Sequence, residues 1–153
     1  STVVDPMCLL QDIDDPSNPF HRRAAYFLSR LTRVNALPVL FETFFLHPDL
    51  FSGIHRIDFE NRSLSRVVQD QYYLQPDSGR QTFTVCLLPE TLAILLELEP
   101  GTPILEVERK LDFPGTAEAL FSRLYCRTDT FAFSQTMGLK TEETRTNSYS
   151  GEK

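Results

Sequence analysis

Residues 102–113 read TPILEVERKLDF. Side chains of a strand alternate between two faces, so Leu105, Val107, Leu111 and Phe113 share one side with Arg109 among them. Glu106, Glu108, Lys110 and Asp112 take the other side, which reads as a clean solvent face. A strand with a polar side available has nonetheless placed a guanidinium on its apolar side. That placement is costly unless something anionic meets the charge. The stretch therefore predicts a half-buried strand in a covered sheet, and a second group or a ligand opposite Arg109.

The neighbouring segments supply that sheet. YFLSRLTRV (26–34) and PVLFETFFL (38–46) are two β-rich runs separated by a short turn, a hairpin signal. Phe, Leu and Val fall on both faces of the second run, which predicts cover on both sides, with Glu42 in its middle. HPDLFSGI reads as loop or short turn. In NRSLSRVVQDQYYL, Leu64, Val67, Val68, Gln71 and Tyr72 recur at helical spacing, with Ser63 placed to cap and Asn61 competing for that role. QTFTVCLL alternates Phe83, Val85 and Leu87 with Thr82, Thr84 and Cys86, a strand with one wetter face. Pro89 opens a short Leu-rich helix that PGTP ends. After 102–113, Pro114-Gly115 suits a type II turn, and EALFSRLYCRT returns antiparallel, with DTFAF a candidate extension. The order β-β-α-β-α-β-β with short connections indicates an α+β fold, a mostly antiparallel sheet with helices packed on it.

At its ends the chain reads differently. The first twenty residues carry three prolines and four acids, so residues 1–24 are expected to be an irregular lead-in or an incomplete first element. Residues 137–153 are polar and aperiodic, a C-terminal tail beyond a domain spanning 25–136.

The 153 residues suffice for one domain with a real core, and 41% hydrophobic with 24% charged residues is ordinary for a globular protein. No apolar run approaches the ~20 residues that span a bilayer, and STVVDPMCLL lacks the basic start of a signal peptide. Cys8, Cys86 and Cys126 are odd in number and far apart, so a reducing, cytoplasmic setting is expected, without a membrane partner. A net charge of −6 argues against this segment gripping nucleic acid by itself.

Catalytic and metal motifs are lacking, and the sequence predicts no enzyme, cofactor or metal site. His21, His47 and His55 read as surface histidines, and Cys86 and Cys126 as small strand residues. The buried-looking polar residues are Arg109, Glu42 and Arg33. Two accounts stay open. Arg33 or Arg109 pairs with Glu42 as a structural salt bridge, or the two arginines and one carboxylate form a net positive pocket floor for a carboxylate or phosphate. Ser63 at a helix N-terminus would add N–H groups suited to an anion.

The ordered motifs resemble a known family. In RVNALPVLFETFFLHPDLF, Arg33, Pro38, Glu42, Leu46, Pro48, Leu50 and Phe51 occupy a pattern of the UTRA domain, the effector-binding half of GntR-type regulators of the HutC subfamily. NRSLSRVVQDQYYLQP is similar to its helix through Ser63 and Leu64. LLELEPGTPILEVERKLDFPG matches through Gly101, Pro103, Leu105, Val107 and Arg109, and FSRLYCRTDTFAF through Ser122, Arg123, Arg127, Asp129 and Phe133. The resemblance runs from about Tyr26 to Phe133. It implies a chorismate-lyase-like fold and a small-molecule pocket. It further implies homodimerisation and a winged-helix DNA-binding domain on the N-terminal side.

The implied ligand-binding set is Arg33, Glu42, Ser63 and Arg109, with Ser122 and Cys126. The implied effector is an anionic metabolite such as a sugar phosphate or organic acid. Leu31, Leu120, Cys126 and Phe131 stand where hydrogen-bonding residues are frequent in the family, so the expected pocket is less polar than in members that sense sugar phosphates. A chorismate-lyase-like enzyme on the same scaffold is the alternative, and a purely structural dimerisation module a third.

Overall fold

The computed structural model describes residues 1–134; the expected tail at 137–153 lies outside the described residues. In chain order the elements are β1 (Thr2–Leu10), β2 (Ala25–Val34), β3 (Leu37–Leu46), a 3-10 turn (Ile54–Arg56), α1 (Leu64–Tyr72), β4 (Ser78–Leu87), α2 (Glu90–Leu96), β5 (Pro103–Phe113) and β6 (Thr116–Cys126). The strands form one antiparallel sheet in the order β1-β2-β3-β6-β5-β4. The expected α+β architecture holds.

The β2–β3 hairpin turns on Asn35 and Ala36, both at positive φ (52° and 67°). Two left-handed residues match the twist of the flanking strands, and Asn adopts that conformation readily. Past the turn, Val34 faces Leu37 and Arg33 faces Pro38, but Thr32 faces Leu40. Val39 is the extra residue of a bulge that shifts the rest of the hairpin by one. The β5–β6 hairpin turns at Pro114-Gly115, with Gly115 at φ 76°, as a type II turn requires.

Cover falls on both faces of β3, as its two-sided pattern predicts. One face carries Leu28, Phe44, Leu46 and Leu120 against Phe51, Ile54, Leu64, Val67 and Val68. The other packs Leu31, Phe41 and Ile104 under α2 through Ala93 and Leu96. Ser63 caps α1, accepting from the Arg66 N–H at 3.3 Å, while Asn61 is taken up by the amino group of Ser1. Pro89 is the residue before α2 rather than its first turn.

Further expectations change. Thr2–Leu10 is a strand, not an irregular lead-in. Its pairing with β2 shifts register on both sides of Asp5. There the Ser29 hydroxyl donates to the Asp5 carboxylate at 2.5 Å and accepts from its N–H at 3.0 Å. Pro6 is tolerated because β1 is an edge. Next, β6 ends at Cys126 and DTFAF does not extend it; Arg127 reaches the Asp129 carboxylate at 3.0 Å and the Leu96 carbonyl at 3.2 Å, away from the ladder. Finally, β4 does not bury its apolar face. Phe83, Val85 and Leu87 are exposed, since the cover over Phe113 and Leu111 stops short of this edge.

Nor is the acidic side of β5 a free solvent face. Arg123 of β6 donates from Nε to Glu108 at 3.0 Å, with Glu106 at 3.8 Å. It also clasps both oxygens of Asp15 at 2.6 and 3.1 Å, fastening residues 11–24 over Phe45 and Phe121. This arginine holds the Asp15 carboxyl below its ordinary value. Arg123→Met is expected to cost about 2 kcal/mol in urea unfolding at pH 7, the loss of charge-assisted bonds. A lowered carboxyl contributes stability above the ordinary Asp range and loses it as pH falls through the lowered value. The cost of Arg123→Met should therefore shrink as pH falls below the ordinary Asp value of about 3.9; a pH-independent cost would contradict the assignment.

Candidate functional site

Register decides which polar side chains meet. Directly opposed residues of antiparallel strands share a face, so the bulge at Val39 sets Arg30 beside Glu42. The next row across the same face runs Phe44, Ser122, Arg109, Gln81. The row after that is apolar, with Leu120 beside Leu111. Over this floor lies the first turn of α1, because Arg30 Nη1 donates to the Arg62 carbonyl at 2.5 Å.

Between floor and helix is a cavity of about 220 Å³. Its polar lining is Arg30, Glu42, Ser63, Ser65, Arg109 and Ser122. Phe44, Leu64, Val68, Leu111, Phe113 and Leu120 supply the apolar part. Two arginines against one carboxylate leave the lining with one net positive charge.

The polar groups are only partly satisfied. Arg30 is 7% exposed, lies 5.1 Å over the Phe44 ring, and its Nε has no hydrogen-bond partner among the described residues. Ser122 is 1% exposed and its Oγ is likewise unpartnered. Each such atom costs about 1–3 kcal/mol of lost hydration. Glu42 meets Arg30 Nη2 at 3.7 Å, too long for a hydrogen bond. Burial pushes its carboxyl above the ordinary value, opposed by Arg30 and Arg109. Arg109 donates from Nε and Nη2 to the Gln81 carbonyl oxygen at 3.1 and 2.9 Å, so its charge rests on a neutral partner.

Of the residues singled out from sequence, Glu42, Ser63, Arg109 and Ser122 line this cavity. Arg33 does not. It lies exposed beside the hairpin turn opposite Pro38, and Arg30 holds the place expected of it. The salt bridge to Glu42 that one of the two accounts gave to Arg33 or Arg109 is made by Arg30 instead. Cys126 is buried on the same face outside the lining, opposite Leu40 and Leu105. Burial pushes its thiol up to about 11, so it is protonated at neutral pH and a poor nucleophile. Ser63 spends its hydroxyl on the Arg66 N–H and on Ser65 Oγ at 3.0 Å.

The histidines serve the framework. His21 Nδ1 accepts from the Asp15 N–H, His47 Nδ1 from the Asp49 N–H, and His55 stacks on Tyr26. Among the described residues no His, Cys, Asp or Glu group could hold a metal ion, and no helix is long and apolar enough to cross a membrane.

The family model described as UTRA domain matches residues 21–132. The C-terminal domain of YurK from Bacillus subtilis is similar in structure, with a TM-score of 0.76 at 17% identity, covering 87% of this chain and 92% of that one. The ligand-binding domain of a GntR-family transcriptional regulator from Bordetella bronchiseptica gives 0.76 at 16% identity, covering 89% and 90%. For the C-terminal domain of the histidine utilization repressor from Pseudomonas syringae the values are 0.73 and 14%, covering 90% and 96%. At such identities the likeness is one of fold. No curated protein matches the chain.

Proposed function

Because the chain belongs to the UTRA domain family, we propose that it is the effector-sensing and dimerisation domain of a GntR-type repressor of the HutC subfamily, binding a small anionic metabolite under α1. The observation that carries this reading is the cavity floor. Arg30 and Arg109 outnumber Glu42, and Arg30 Nε and Ser122 Oγ are buried without partners among the described residues. A carboxylate or phosphate would satisfy the arginines, and a hydroxyl or amine would donate to Glu42. DNA contact belongs to a winged-helix domain elsewhere in the regulator, in keeping with the −6 charge of this chain. The effector alters DNA binding only by favouring one arrangement of the dimer over another.

A thermal-shift screen of phosphorylated sugars, organic acids and amino acids tests the reading. A ligand at a hundred times its Kd adds about 2.7 kcal/mol of stability. Arg109→Ala is expected to weaken the hit about ten- to a hundredfold, the worth of a charge-assisted bond. A hit that stabilises wild type and Arg109→Ala equally would place binding elsewhere.

The homodimer is proposed to form through β4. This strand is a sheet edge, and residues 81–87 carry no charge. Val85 is 72% exposed between Phe83 and Leu87. Edges left bare of charge invite pairing, and an antiparallel edge meeting its own copy closes about a two-fold axis. Val85→Lys should convert a dimer to monomer in analytical ultracentrifugation with an unchanged circular dichroism spectrum. Dimerisation unaffected by Val85→Lys would move the interface off this edge.

A further inference from the structure

The cavity makes two opposite demands at one end. Arg30 Nε–H needs an acceptor, and the hydrogen bonds of Arg109 among the described residues go to the neutral Gln81 carbonyl oxygen, with no carboxylate bonded to it. Glu42, whose side chain is 16% exposed, needs a donor closer than the 3.7 Å of Arg30 Nη2. Arg30 and Glu42 are directly paired across β2 and β3, so acceptor and donor must sit on neighbouring atoms of one ligand. Ser122 Oγ, in the next row, can give or accept. The far end asks for the reverse. Leu111, Leu120, Phe113 and Val68 offer no polar group, and a ring of hydroxyls there would lose hydration without compensation.

Charge and size narrow the class further. The lining has one net positive charge, so a monoanion neutralises it, a zwitterion leaves it positive, and a dianionic phosphate overshoots. The volume of about 220 Å³ is roughly that of seven waters of the liquid, below the range of about 300–1,000 Å³ for drug-sized ligands.

We infer that the effector is a small 2-hydroxy carboxylate with an apolar side chain, its carboxylate on Arg30 and Arg109, its hydroxyl donating to Glu42, and its side chain on Leu111, Phe113 and Leu120. This rests on the cavity being the effector site.

Isothermal titration of the full chain at neutral pH tests it with four kinds of probe. These are 3-phenyllactate and 2-hydroxy-4-methylpentanoate; their deoxy counterparts 3-phenylpropionate and 4-methylpentanoate; phenylalanine and leucine; and glucosamine 6-phosphate. At least one hydroxy acid is expected to bind about ten- to a hundredfold tighter than its deoxy counterpart and its amino acid, the factor a hydrogen bond to a charged group supplies. Glu42→Leu should erase the hydroxy-over-deoxy preference and Glu42→Gln, which keeps an acceptor oxygen, should retain it. Tighter binding of an amino acid or of the sugar phosphate, lost in Arg109→Ala, would overturn the inferred class and leave the effector cavity standing. Hydroxy-acid binding of equal strength in wild type and Arg109→Ala would overturn both. If none of the probes binds, the inferred class is wrong, and the broad screen decides the site separately.

Discussion

Arg30→Met is expected to weaken effector binding about thirtyfold to several thousandfold, the 2–5 kcal/mol that truncating one member of a buried charged pair costs. The side chain serves three neighbours at once. It faces Glu42 across the hairpin, holds the Arg62 carbonyl at the start of α1, and lies over Phe44. Its removal leaves a carboxyl already raised by burial with Arg109 as its remaining cation, so Glu42 takes up a proton more readily. The net charge of the cavity then changes less than the substitution suggests, and the lost affinity reports lost geometry. Arg30→Lys separates the two contributions: it restores a charge without the planar fork, and should recover less than half of the lost free energy. Titration calorimetry with the screen's strongest ligand reads both. Arg30→Met binding within about threefold of wild type would exclude Arg30 as a contact.

Phe51→Ala is expected to cost about 3–5 kcal/mol, a large part of the roughly 5–15 kcal/mol that holds a domain together. Phe51 is fully buried, with its ring edge-on to Tyr72 at 5.6 Å and to Phe113 at 5.3 Å. The Tyr72 hydroxyl donates to the Ser52 carbonyl at 2.8 Å. One ring thus joins the loop after β3, the last turn of α1 and the end of β5. Since α1 roofs the cavity, loosening this peg should also lower ligand affinity in the protein that remains folded. Urea unfolding at neutral pH measures the loss, and Phe51→Leu, which keeps most of the volume, should cost about 1–1.5 kcal/mol. A loss below 1 kcal/mol for Phe51→Ala would mean that α1 is held by other contacts.

Much of this architecture can be read along the chain, because it rests on local periodicity. The alternation in 102–113, the helical spacing of Leu64, Val67 and Val68, the Ser63 cap and the Pro114-Gly115 turn are all signals within a dozen residues. Arg109 on an apolar face led to Glu42, and the family resemblance to Ser122, and both share its cavity. Arg30 was hidden by one residue. A regular hairpin about Asn35-Ala36 would set Arg30 opposite Phe41 and Ser29 opposite Glu42. Only the bulge at Val39 brings Arg30 onto the carboxylate, and no local pattern announces a bulge. Asp5-Pro6 masked β1 for a related reason: the partner that satisfies Asp5 is Ser29, on a strand that sequence proximity does not reveal. The clasp of Arg123 on Asp15 spans 108 residues and exists only once the sheet has formed. Phe83, Val85 and Leu87 alternate like a buried strand because alternation records an apolar face and not what covers it.

The most direct measurement is the side-chain Nε–H spectrum of the arginines in ¹⁵N-labelled protein, titrated separately with 3-phenyllactate and with glucosamine 6-phosphate. Arg30 Nε–H is buried and unpartnered among the described residues, so a bound anion must change its shift and slow its exchange, with Arg109 responding in parallel and the exposed Arg33 serving as the internal control. Selective movement of Arg30 and Arg109 on adding either anion is the result expected. Binding of either anion with both resonances unmoved, or with Arg33 moving in their place, would contradict the assignment of the cavity as the effector site.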